Sequence, residues 1–151
     1  MIVFASACVL IVIKYKNENG NREAQLLELL PRKGNATQSP EWKLEKRLGD
    51  QLIEKIKKDR SDIKSLNALT AIYLQEARSS GNFSYYDKAA RNCVNAVLKK
   101  DAKNFEALIF RATIHLSQHH FAEGLKCASE IQKLYPYSAY VYGILVDANV
   151  E

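Results

Sequence analysis

The stretches Tyr86-Asp87-Lys88-Ala89 and Phe121-Ala122-Glu123-Gly124 decide how this chain folds. Each is an aromatic residue followed three places on by a very small one, and they lie 35 residues apart. Ala96 and Ile131 keep that offset, while Asp101-Ala102 and Tyr135-Pro136 align at 34. Upstream, Leu66 and Thr70 precede Leu108 and Ala112 by 42, and Tyr142 and Val146 follow by a further 34. The seven-residue excess in the first interval is expected in the loop at 76–85. A period in this range marks a chain built from stacked supersecondary units. The small residue lets two helices cross closely, where a larger side chain would hold them apart.

Around these stretches the apolar residues recur at helical spacing. Over 41–58, Leu44, Leu48, Leu52 and Ile56 recur every four places, and Ile53 and Trp42 widen the stripe. Ser39-Pro40-Glu41 supplies a cap and a proline at the start of that helix. Further helices are expected at 63–77, 85–100, 105–118, 121–134 and 139–150, with a loop at 78–84. Before them, 23–30 reads as a short amphipathic helix stopped by Pro31, and 32–40 as a linker rich in loop formers. The fold class is all-α.

The period, the aromatic-x-x-small opening of each second helix and the proline after one of them resemble the tetratricopeptide repeat (TPR), a helix-turn-helix unit. The resemblance covers 41–151, with complete units at 63–104 and 105–138 and a partial one at 139–151. It implies antiparallel helix pairs stacked as a right-handed α-solenoid. The chain departs from the pattern at His115 and Asn149, where Tyr is preferred, at Arg111 in place of Leu, and at Ala102 in place of Pro. A plain helical bundle is the alternative that periodic apolar faces alone would also satisfy. Tyr140 to Val146 (YVYGILV) lacks the polar outer face of a capping helix. It is expected to be covered by a partner, by self-association, or by further repeats of a longer array.

What the resemblance implies for function is a non-catalytic scaffold that holds a protein or peptide in a groove lined by first helices. Mapped onto this chain, the solvent-facing groove takes Lys64, Asn67, Ala71, Leu74 and Gln75 from the first unit. Glu106, Ile109, Thr113 and Leu116 follow from the second, and Tyr140, Gly143 and Asp147 from the third. The lining has few cations, so hydrophobic contact with modest polar guidance is expected. The alternative places these repeats as the regulatory or assembly region of a larger protein whose catalytic domain lies beyond residue 151.

Residues 1–16 read as a separate membrane-directed segment. Ile2, Val3, Phe4, Val9, Leu10, Ile11, Val12 and Ile13 dominate it, with Cys8 inside and Lys14, Tyr15 and Lys16 closing it. Twelve helical residues rise only about 18 Å against a hydrocarbon core of roughly 30 Å, which is short for a span and close to a signal-peptide core. An apolar N-terminal helix serving as anchor, a removed signal, a lipoprotein site at Cys8 and a buried strand all remain open from the residues. The layout resembles that of bacterial envelope TPR proteins, which implies a membrane-tethered adaptor.

The formal charge of +5 is concentrated toward the N-terminus, where cations alternate with carboxylates as on a solvated helix face, so nucleic acid is not an expected partner. The six glycines are scattered singly, and no phosphate loop is present. His115 and His119 have i, i+4 spacing, but His119 falls at an expected turn, so no metal site is assigned. Cys93 and Cys127 lack any identifiable base and are expected to pack as small apolar residues. No cofactor and no catalytic residue are expected.

Overall fold

A computed structural model describes residues 26–150, and the residues of the apolar N-terminal segment lie outside that range. Six α-helices follow a 3-10 turn at Gly34–Gln38: α1 (Pro40–Lys58), α2 (Ile63–Ser80), α3 (Phe83–Lys100), α4 (Phe105–Ser117), α5 (Phe121–Leu134) and α6 (Ala139–Val150). The described residues contain no strand. Each helix packs on its neighbour in the chain, and the first helices of successive pairs also meet, α2 with α4 and α4 with α6.

The helix starts are set by side-chain caps. Ser39 Oγ accepts the Trp42 N–H at 3.1 Å with Pro40 opening α1. Asp62 Oδ1 accepts the Ser65 N–H at 3.0 Å, and 42 residues later Asn104 Oδ1 accepts the Ala107 N–H at 3.1 Å. Each cap satisfies an amide that the first helical turn leaves without a partner.

The joints repeat as the sequence period does. Between pairs, the N–H of Asp62, Asn104 and Ser138 donates to the carbonyl three residues earlier, on Asp59, Asp101 and Tyr135. Within pairs, the connection passes through a left-handed residue, Gly81 at φ 72° and His119 at φ 57°. Glycine adopts that conformation freely, whereas histidine pays for its Cβ. The break after α2 is only Gly81-Asn82, not the loop expected at 78–84. α2 runs five residues further and α3 starts three residues earlier than their counterparts in the next pair, so the excess lengthens the helices instead of the loop.

Two apolar clusters share α3 and α4. One gathers Trp42, Ile53, Leu66, Leu69, Tyr73, Tyr86, Val94 and their neighbours, and the other gathers Leu108, Ala112, Ala128, Ile131, Val141 and Ile144. Ala89 and Gly124, the small residues of the repeated stretches, are both buried. A Cβ on Gly124 would lie 2.6 Å from Leu116 Cδ2, which shows how close α4 and α5 come at their crossing.

Two expectations are overturned. The described part of 23–30 is not helical: residues 26–32 form no regular secondary structure, with Leu29 only 2 % exposed. Further, the buried face of α1 is Trp42, Gly49, Ile53 and Ile56, while Leu44 and Leu48 are 51 % and 42 % exposed. The two findings have one cause. Leu29 lies against the bare backbone of Gly49, so that a Cβ there would overlap its Cδ1, and the segment 26–32 claims the face of α1 that carries the glycine.

Candidate functional site

α4 and α6, with the α2–α3 turn and the start of α5, form an open concavity of about 990 Å³. Ile109, Thr113 and Leu116 reach it from α4, and Tyr140, Gly143, Ile144 and Asp147 from α6. The α2–α3 turn adds Arg78 and Phe83 at one rim, and His119 and Phe121 close another side. α4 presents this row because its residues lie three and four apart, one above the other on the helix face. The surface is mainly apolar, with Arg78 and Asp147 as its two opposite charges. Tyr140 is 74 % exposed, and a Cβ on Gly143 would meet nothing within 4 Å.

Six of the residues assigned to the groove from sequence are thus brought together: Ile109, Thr113, Leu116, Tyr140, Gly143 and Asp147. Lys64, Ala71, Gln75 and Glu106 are exposed but do not line the concavity. Leu74 and Asn67 are each 5 % exposed and belong to the packed interior. The Asn67 Nδ2 donates to Asn104 Oδ1 at 3.0 Å and to Glu106 Oε2 at 2.7 Å, tying α2 to the cap of α4. Ile109, although it lines the concavity, is 8 % exposed. An arginine at 67 or a glutamate at 109 would therefore disturb packing as well as a surface.

No group of three or more metal-ligating side chains occurs among the described residues. His115 and His120 approach to 6.2 Å between ring centroids, and His119 stacks edge-on to Phe121 at 5.6 Å. Burial, followed by the Arg91 guanidinium, holds His115 below the usual histidine range. Its neutral form is favoured by folding, so the stability this gives is present above the unfolded value near 6.5 and is lost as the pH falls through the lower folded value. The melting temperature is expected to fall on acidification from pH 7 to 5, and His115→Gln to remove part of that fall. An unchanged pH dependence in the variant would assign the effect to other groups.

Cys93 and Cys127 are free and buried, as expected of small apolar residues. Burial pushes the Cys93 thiol up to about 12, so it is no thiolate nucleophile at neutral pH. No described helix is long and apolar enough to cross a membrane. The membrane-directed residues, Ile2 through Ile13, lie outside the described range.

A second site was missed from sequence. Residues 26–32 lie in a cleft between α1 and α3 whose floor is α2. Tyrosine hydroxyls hold its main chain: Tyr73 donates to the Leu27 carbonyl, Tyr85 to the Glu28 carbonyl at 2.8 Å, and Tyr86 accepts the Leu30 N–H at 3.0 Å. At its end Arg32 forks onto Glu76, with Nε to Oε2 at 3.1 Å and Nη2 to Oε1 at 2.5 Å. The guanidinium carbon is 5.4 Å from the Trp42 ring centroid, and Glu41 lies 3.6 Å from Nη1. The Glu76 side chain is fully buried and Arg32 is 11 % exposed. The available cue was the Leu29-Leu30-Pro31-Arg32 run, in which proline biases the residue before it toward extended backbone.

No protein-family model, characterised protein or solved structure shows a significant match to this chain.

Proposed function

We propose that this chain is a non-catalytic scaffold of TPR-like helix pairs, stacked as a right-handed solenoid, that binds a protein segment on the face formed by α4 and α6. The observation that carries the reading is the concavity of about 990 Å³, because half of the residues assigned to a groove from the repeat pattern line it together. Its apolar floor and two opposite charges suit a peptide with an apolar anchor and polar flanks. The repeated caps, left-handed joints and contacts between alternate helices support the TPR-like arrangement. In this reading the apolar residues 2–13 tether the scaffold to a membrane, which raises the local concentration of whatever it holds.

Gly143→Trp tests the groove without entering the packed interior, since the glycine is exposed and a side chain there has room. Peptides selected from a random display library on the full chain are expected to bind Gly143→Trp at least tenfold more weakly, with the helical circular dichroism unchanged. Selected peptides that ignore the tryptophan would remove this concavity as the binding face.

The outer surface of α6 and the turn before it favour self-association as a second reading. Tyr137, Tyr142 and Val146, none of which lines the concavity, are 97 %, 47 % and 60 % exposed, an apolar concentration unusual on a solvated surface. Sedimentation of the full chain over a range of concentrations distinguishes a dimer from a monomer.

A further inference from the structure

The cleft holding residues 26–32 has the properties of a peptide-binding site. α1 packs on α2 and α2 on α3 directly, and Leu29 enters the apolar cluster that the three helices share. The segment lies over them with Glu28 exposed and Leu30 38 % exposed. Its main chain is held by three tyrosine hydroxyls, a mode of recognition that any extended peptide can satisfy. Selectivity rests on two side chains. Leu29 fits where Gly49 offers no Cβ, and Arg32 neutralises the fully buried Glu76 while lying over Trp42. A carboxylate so buried demands a cation from whatever occupies the cleft. The segment leaves the cleft through Lys33 into Gly34, whose φ of 61° is open to glycine and gives a natural pivot.

We infer that the cleft between α1 and α3 is a binding site for an extended peptide carrying a leucine and, three residues later, an arginine, and that the chain closes it with its own residues 26–32. A partner segment of that chemistry binds by displacing the resident one. Because the resident segment is tethered, it competes at a high effective concentration. Weakening it strengthens the incoming peptide. This site is separate from the α4–α6 concavity, and the failure of either leaves the other standing.

The probe is a fluorophore-labelled peptide with the sequence of residues 26–33, LLELLPRK, titrated by anisotropy into the full chain and into its Leu29→Ala variant. That substitution weakens the resident segment and leaves the cleft walls intact. The peptide is expected to bind the variant at least tenfold more tightly than the wild type. The same peptide carrying Leu29→Ala and Arg32→Gln is expected to bind at least tenfold more weakly. In the unaltered chain, exchange of the Leu30 amide is expected to run ahead of the α2 amides, because the segment opens while the helices stay folded. Equal affinity for both chains, or binding indifferent to the leucine and arginine, would overturn the site. So would Leu30 exchange that follows global unfolding, or a Leu29→Ala chain that loses its helical signal, since each would make residues 26–32 an integral part of the fold.

Discussion

Replacing Arg32 by glutamine is expected to destabilise the protein by about 3–5 kcal/mol, the range for removing one partner of a buried ion pair. The cause is the residue left behind. Glu76 has a fully buried side chain on the inner face of α2, and both of its oxygens bond to the guanidinium. Those bonds, the largest influence on Arg32, raise its affinity for its proton, so the guanidinium stays charged throughout the working range. Without Arg32 the carboxylate loses its cation and two hydrogen bonds at once, and Trp42 loses the cation over its ring. For a chain of this size the loss corresponds to a fall of roughly 10–20 °C in melting temperature.

The double variant Arg32→Gln with Glu76→Gln separates the pair's worth from the cost of an orphaned charge. Two amides can hydrogen-bond without burying net charge, so the double variant is expected to recover more than half of the lost stability. Denaturant midpoints at constant slope are the measurement. A double variant no more stable than Arg32→Gln alone would mean that Glu76 finds water or another partner once Arg32 is gone.

Tyr73→Ala is expected to cost about 3–5 kcal/mol, and Tyr73→Phe only about 1 kcal/mol. Tyr73 is fully buried where α2, α3 and the segment 26–32 meet, with its ring centroid 6.2 Å from that of Tyr86. Truncation to alanine removes the ring and leaves a cavity whose lining is fixed by three helices. Phenylalanine keeps the ring and loses one hydrogen bond, that to the Leu27 carbonyl, whose oxygen then lies over an apolar edge. Burial holds the phenol well above its ordinary value, so the hydroxyl remains a donor even in mild alkali. The contrast between the two variants weighs packing against the hydroxyl. A Phe variant as unstable as the Ala variant would shift that weight onto the hydrogen bond.

Most of the helix boundaries were legible in the sequence because their determinants are local. Pro40 after Ser39 opens α1, and Asp62 and Asn104 cap α2 and α4 from within one turn. The small residues Ala89 and Gly124 marked the crossings because close approach of two helices leaves no alternative there. That Ile109, Thr113 and Leu116 line one concavity was legible on the same basis, since they share a face through helical spacing alone.

What only the tertiary structure decided is where helices and segments without a local signature find their partners. Residues 23–30 carry a good helical pattern, yet 26–32 are not helical, because a cleft lined by tyrosine hydroxyls and floored by Glu76 satisfies that backbone and buries Leu29. Leu44 and Leu48 look like core residues and are exposed, because Leu29 meets α1 at Gly49 instead. Asn67 looks like a groove residue and is buried, because the cap of the next helix pair comes to meet it. Sequence by itself determined the all-α class and most of the helix boundaries, through caps and periodicities that act within a few residues. The seating of 26–32, the buried ion pair and the lining of the concavity depend on surfaces that exist only once the helices have packed.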